Sequence, residues 1–183
     1  MVNGFGIETP ANKLATALAT FGLTIRLSNE VNLGRINASI YKHEVIVDTG
    51  DGELLLPVFH EGNIETLKYG IFNLVLIALS ASALTADETL DEVFGKISED
   101  VDPSRIGIRV MVNQLRNAFA HNPWRPKWVI RPQYRKKYFI VLYDGKSFTF
   151  DSTILDGQSI KPEQVGGLDF WLKLLQHCEK LMP

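Results

Sequence analysis

Asp102-Pro-Ser-Arg-Ile-Gly-Ile-Arg-Val-Met-Val-Asn-Gln-Leu-Arg-Asn-Ala-Phe-Ala-His-Asn-Pro123 reads as one helix with both ends written into it. Asp102 has the short acceptor side chain that satisfies the free N–H groups of a first turn. Pro103 suits the first helical position, where a missing N–H costs nothing. Asn122 precedes Pro123, which disfavours helical geometry there, so the helix is expected to close near His121. Ile106, Val110, Leu115 and Phe119 supply apolar positions along it, with Asn113 among them.

Helical signals continue on either side. Residues 63–84 form an apolar helix, and Thr85 or Asp87 can cap a second one running to about Ser98. In that second helix Leu90, Val93, Phe94 and Ile97 recur at the spacing of one helical face. Thr9 and Pro10 start a helix expected to end near Phe21, before Gly22, and about Leu168 to Met182 forms the last, carrying Leu172, Leu175 and Leu181. Two stretches read as extended. Residues 39–47 and 53–59 flank the turn cluster Asp48-Thr-Gly-Asp-Gly52. Residues 137–143 and 146–150 flank Asp144-Gly145, which predicts a two-residue hairpin. The expectation is a mainly α fold: a single domain over 1–183, with a helical core at about 63–183, a β-hairpin inserted near 137–150, and an N-terminal extension over 1–61 with extended character.

Composition excludes several classes. With 183 residues, 45% of them hydrophobic and 22% charged, the chain can bury one sizeable core and is neither a disordered polymer nor a fibre. A lone Cys178 forms no internal disulfide, which favours a reducing, cytoplasmic setting. Met1-Val-Asn-Gly-Phe-Gly has no basic or apolar signal region, so no secretory signal is expected. The run Gly70–Leu84 is short of the roughly twenty apolar residues of a membrane span and is broken by Asn73 and serines. A buried or subunit-interface helix is expected instead, with no membrane partner.

The near-neutral total hides a polarised chain. Residues 1–100 hold six Lys/Arg against fourteen Asp/Glu, a balance of −8; residues 101–137 hold nine against Asp102 alone, a balance of +8. Arg125, Lys127, Arg131, Arg135, Lys136 and Lys137 lie in an acid-free stretch interleaved with Trp124, Trp128 and Tyr134. Cations attract a nucleic-acid backbone and aromatic rings stack on unpaired bases, so the segment fits single-stranded nucleic acid. The alternative is a solvated segment whose charges pair with the acidic N-terminal half.

One constellation carries chemistry. Arg116-Asn-Ala-Phe-Ala-His121 places an arginine, a polar residue directly after it and a histidine at the end of a helix. Asn117 and His121 stand one above the other, with Arg116 beside them, and Arg109 and Asn113 extend the polar strip backwards. Histidine takes or gives a proton near neutral pH, and arginine grips phosphate through parallel hydrogen bonds. These are the parts needed to cleave RNA without a metal or other cofactor, although one chain supplies a single histidine where base and acid usually want two groups. A histidine removes the proton of the ribose 2′-hydroxyl, which attacks the adjacent phosphate while arginine stabilises the charge.

The motif resembles that of the HEPN family, an arginine followed after four to six residues by histidine, commonly with a polar residue next to the arginine. The close resemblance covers about ten residues, with looser support from 63–183. It implies a helical bundle, a symmetric homodimer with a composite site lined by Arg116, Asn117 and His121 of both copies, and an endoribonuclease of the toxin or defence type held in check by an antitoxin protein. On this reading Arg109, Asn113, Trp124, Arg125, Lys127, Trp128 and Arg131 contact RNA. The same chain could instead be a binding module that grips RNA or a nucleotide without cutting, or a dimerisation or adaptor domain.

Other candidates are weaker. His43 and His60 with Asp48 and Asp51 have no recognised metal-ligand spacing, and no metal site is expected. His177 and Cys178 are adjacent on a helix and so point in different directions, which argues against a nucleophilic dyad. Gly50-Asp51-Gly52 and Gly166-Gly167 lack the lysine and serine of a phosphate loop.

Overall fold

In the computed structural model, which describes residues 9–50, 52–56, 58 and 63–183, Asp102 caps its helix as its chemistry requires. Its carboxylate accepts from the backbone N–H of Ser104 at 2.9 Å, Pro103 opens the helix, and the helix, α3, spans Pro103–His121. Around it lie α1 (Pro10–Asn32), β1 (Val45–Asp48), β2 (Glu53–Leu56), α2 (Ile64–Phe94), β3 (Lys137–Val141), β4 (Ser147–Asp151) and α4 (Gly167–Leu181). The fold is mainly helical, with two antiparallel sheets of two strands each among the described residues.

Two helices are longer than expected. Gly22 does not end α1, which continues to Asn32. A glycine inside a helix costs about 1 kcal/mol against alanine, too little to stop a helix whose neighbours on both sides favour it. Nor is there a break at 84–87: α2 is one helix of 31 residues. Thr85 keeps its carbonyl in the helix and accepts there from the Thr89 hydroxyl, while the Asp87 carboxylate turns to Asn113 instead of capping. By length and composition α2 could cross a membrane, and a third of its most apolar window is buried inside the protein.

The chain divides into two compact units, one comprising Leu23–Val75 and the other the chain up to Gly22 together with Leu76–Pro183. In the first, β1 pairs with β2 (Val45↔Leu56 through Asp48↔Glu53) and every residue of the two strands is exposed. Its strands lie inside the two stretches read as extended, although residues 38–41 form a 3-10 turn instead of strand.

The larger unit holds the core. Leu14 and Phe21 of α1, Leu79 and Leu90 of α2, Ile108, Met111 and Leu115 of α3, and Leu174 and Leu175 of α4 are all fully or almost fully buried. Trp171 of α4 is also buried, and its indole N–H donates to Ser82 of α2 at 3.0 Å, so α4 is tied to α2 by a satisfied polar contact. The β3–β4 hairpin packs on α3 through Tyr138 and Ile140. Gly107 permits that approach, because a Cβ there would stand 3.2 Å from both the Tyr138 Cβ and the Ile140 Cγ1.

The hairpin register differs by one from the expected two-residue turn. Lys137 faces Asp151 and Val141 faces Ser147, and Leu142 then donates to the Lys146 carbonyl. The loop is therefore Tyr143-Asp144-Gly145, with Gly145 at φ +80° and its N–H donating to the Leu142 carbonyl. That is the three-residue loop in which a type I turn is followed by a left-handed residue. Placing Tyr143 in the loop brings its backbone N–H to His177 Nδ1 at 2.9 Å, with the two rings stacked. Lys173 and Lys146 pair with Asp144 and Asp169 beside it. Cys178, next along α4, is fully buried, and burial pushes its thiol up to about 12, so it stays protonated and unreactive.

Two measurements follow from this packing. Gly107→Val forces a branched side chain against β3, and overpacking of this kind costs about 1–3 kcal/mol, read as a lower urea midpoint. His177 accepts a hydrogen bond at Nδ1 only when that nitrogen is unprotonated, and burial lowers its pKa from 6.5, with Asp144 opposing and Lys180 assisting. The folded state then binds a proton less readily than the unfolded one. Stability is therefore full above about pH 6.5, falls as pH drops below it, and levels off once the folded form protonates. Thermal melting between pH 8 and 5 should show this slope in the wild type and a shallower one in His177→Gln.

Candidate active site

The polar side of α3 meets α2 along a ladder of charged and amide groups. Arg109 is 1% exposed; its guanidinium donates to Asp100 and Asp91 at 2.7 and 2.6 Å and also to the Gly95 carbonyl. Arg105 forms two further hydrogen bonds to Asp100, at 2.8 and 2.7 Å, and lies over the Phe94 ring. The Asp100 carboxyl is held well below the usual carboxylate range, by Arg105 first, against the opposing effect of burial, and then by Arg109. Arg109 was expected to touch RNA; it is instead an internal residue that ties the end of α2 and the following turn to α3.

One turn further along, Asn113 donates to both oxygens of Asp87 at 3.1 Å. The Asn113 oxygen accepts from Asn117 at 3.2 Å and from Gln114 at 2.9 Å. Asn117 in turn accepts from Arg116 at 3.1 Å, and the Arg116 Nε is 3.9 Å from Asp87. Asn117 is buried and the Arg116 side chain 39% exposed, so the chain of contacts starts inside and ends at the surface. Burial raises the Asp87 pKa; the Asn113 hydrogen bonds lower it, Asp91 raises it further, and Arg116 and Arg109 oppose.

His121 is the last residue of α3 and is exposed. After it, the Asn122 side chain accepts from the backbone N–H groups of Trp124 and Arg125, turning the chain sharply. Trp124 is 62% exposed, and Arg125, Lys127 and Arg131 are exposed as well. The backbone N–H of Arg131 donates to the Gln114 side chain, which anchors this loop to the ladder below. Arg135 and Lys137 pair with Asp156 and Asp151, whereas Arg125, Lys127 and Arg131 make no ion pair among the described residues.

Of the expected site residues, the structure therefore joins Asn113, Arg116 and Asn117 in one network, with His121 on the same helix a turn beyond Asn117. Trp128 does not belong with them. It is fully buried, its indole N–H donates to Gln164 at 2.8 Å, and its ring lies against Phe150, so it is a core residue and offers no stacking face. The alternation of a strand-like segment explains the difference: Trp128 and Ile130 face in while Lys127 and Val129 face out.

Asp87 and Gln114 were not foreseen as part of the site. The available signal was the pair Asp87 and Asp91, one turn apart on α2 and both able to face α3. His43 and Asp48 are exposed, His60 and Asp51 lie outside the described residues, and among the described residues no three His, Cys, Asp or Glu side chains gather as metal ligands. An open groove of about 900 Å³ lies between α1 and α2, lined by small side chains such as Thr16, Thr20, Ala81 and Thr85, and none of the motif residues lines it. In comparisons with known proteins, no family model, no curated protein and no solved structure matches the chain.

The assignment of Arg109 to the interior has a direct check. Arg109→Met leaves buried Asp100 and neighbouring Asp91 without their shared partner, and removing one member of a buried pair costs about 3–5 kcal/mol. A large fall in the urea midpoint is expected; an unchanged midpoint would return Arg109 to the surface role.

Proposed function

We propose that this chain is a metal-independent endoribonuclease of HEPN type, acting as a toxin or defence effector in the cytoplasm. The observation that carries the reading is the hydrogen-bonded set Asp87–Asn113–Asn117–Arg116, which leads to a partly exposed guanidinium on the helix that ends in exposed His121. Three cations that make no ion pair among the described residues, and an exposed tryptophan, follow directly on the same loop. Arg116 would hold the scissile phosphate, Arg125, Lys127 and Arg131 its neighbours, and Trp124 an unpaired base.

In this reaction His121 takes the proton from the ribose 2′-hydroxyl. The 2′-oxygen bonds to phosphorus, the bond to the 5′-oxygen breaks, and that oxygen leaves with a proton from an acid. Products are a 2′,3′-cyclic phosphate and a 5′-hydroxyl, and DNA is inert because it lacks the nucleophile. One chain supplies one such histidine, so the reading includes a homodimer in which His121 of a second copy is the acid. Ile77 and Leu84, 47% and 39% exposed on α2, suit a contact between copies. An antitoxin protein covering the site completes the reading.

The test is cleavage of single-stranded RNA in EDTA, with end analysis, by wild type and His121→Ala. The wild type should cut and leave cyclic ends, and the mutant should lose at least 100-fold in rate while still binding RNA. Trp124→Ala should weaken RNA binding by about 1–3 kcal/mol with its melting temperature unchanged. RNA bound tightly by a wild type that never cuts would instead favour the binding module, to which the exposed Trp124 and cations are equally suited.

A further inference from the structure

The hydrogen bonds between α2 and α3 have a direction, and one residue sets it. An ionised carboxylate only accepts, so Asp87 requires the amide nitrogen of Asn113, which donates to both of its oxygens at 3.1 Å. The Asn113 oxygen is thereby turned away and must accept, from Asn117 at 3.2 Å and from Gln114 at 2.9 Å. With its nitrogen committed, Asn117 presents its own oxygen to the Arg116 guanidinium at 3.1 Å. Each amide has two orientations, and the carboxylate selects one of them along the whole chain. If Asp87 were a donor, the amides could reverse, and Asn117 would turn an NH2 group toward a guanidinium that has only donors.

We propose that Asp87 is a positioning residue: through Asn113 and Asn117, its carboxylate fixes the Arg116 guanidinium in the orientation that receives a phosphate. The assignment rests on reading Arg116 as the phosphate-binding group. Asp87 itself is 8% exposed and stays behind Asn113, so it does not meet the substrate. Its charge also faces Arg116 directly at 3.9 Å, close enough to attract the guanidinium and too far for a hydrogen bond. A second branch runs through Gln114 to the backbone N–H of Arg131, so the same carboxylate orients the root of the basic loop.

Regulation by pH follows. The groups facing Asp87 are Asp91 from its own helix and Asn113, Arg116 and Arg109 from α3. Burial, the largest influence, and then Asp91 raise its pKa against the other three, so the carboxylate is lost at a higher pH than an ordinary aspartate. Protonation would release the amide chain and, with it, Arg116. The acid side of the activity profile then reports a group that never touches RNA.

The experiment measures the side-chain amide resonances of Asn113 and Asn117 between pH 3 and 8, alongside RNA cleavage, in wild type, Asp87→Asn and Asn113→Leu. Both amides of the wild type should shift with one common midpoint above the usual aspartate value, and the acid limb of kcat should share it. In Asp87→Asn that titration and that limb should both vanish, and kcat should fall at least ten-fold with little change in KM or melting temperature. Asn113→Leu keeps the carboxylate and cuts the chain, so it should lose a similar factor. The proposal is overturned if the Asn117 amide does not follow the titration, or if Asp87→Asn cleaves as the wild type does with the same profile. A wild type that cuts no RNA at any pH rejects the nuclease reading, and the Asn117 titration still decides whether Asp87 orients the Arg116 network.

Discussion

Arg109 fixes the register of α3 against α2, and the candidate site depends on that register. Its guanidinium is buried between Asp91 and Asp100 and also holds the carbonyl of Gly95, the left-handed residue that ends α2 at φ +71°. Moving four residues towards the C-terminus of α3 from Arg109 reaches Asn113; moving four towards the N-terminus of α2 from Asp91 reaches Asp87. In an antiparallel pair of helices these steps run the same way in space, one turn each, so the ion pair places Asp87 opposite Asn113. A slip of a single residue would rotate one partner by about 100° out of the seam. Buried ion pairs contribute little net stability, and this one is better understood as a device that admits one alignment.

Much of α3 was legible because its determinants are local. The Asp102-Pro103 start and the Asn122-Pro123 stop act on adjacent atoms, and both ends fall within a residue of their expected places. The join at 84–87 was misread for the converse reason. Thr85 and Asp87 are good caps in isolation, but α2 lies against α3, which offers Asp87 a better partner than its own backbone. In the β3–β4 loop, Asp144-Gly145 named the turn without fixing its length: a two-residue Asp-Gly loop needs both residues left-handed, whereas the observed three-residue loop needs only Gly145 to be. The register was decided by His177, 34 residues downstream, which claims the Tyr143 N–H.

The site was half legible. Arg116, Asn117 and His121 were visible as a motif because a single helix carries all three, and the basic loop was visible as charge. Inside and outside were not separated by charge in that loop: Trp124 and Trp128 both stand beside cations, yet one is 62% exposed and the other fully buried against Phe150 and Gln164. Arg109 was misplaced in the same way. Its position on the polar strip is real, but a polar strip on a helix faces solvent only where no other polar surface covers it, and α2 brings Asp91.

Two kinds of buried carboxylate, Asp87 and Asp100, face α3, and the contrast separates scaffold from candidate site. Asp100 has two arginines and is held ionised well below its usual range, so its charge is fully compensated and its role is structural. Asp87 has one amide and a guanidinium at 3.9 Å, and burial works against its charge. A helix pair selected for stability alone would do better with an apolar residue in place of Asp87, since an under-compensated buried charge is unfavourable. Its cost is tolerable here because the neighbouring pair already holds the helices in register. Where local rules are broken beside an over-determined scaffold, the break points to function. On this chain it points to Arg116, the one member of the network that reaches the surface with its charge only partly matched.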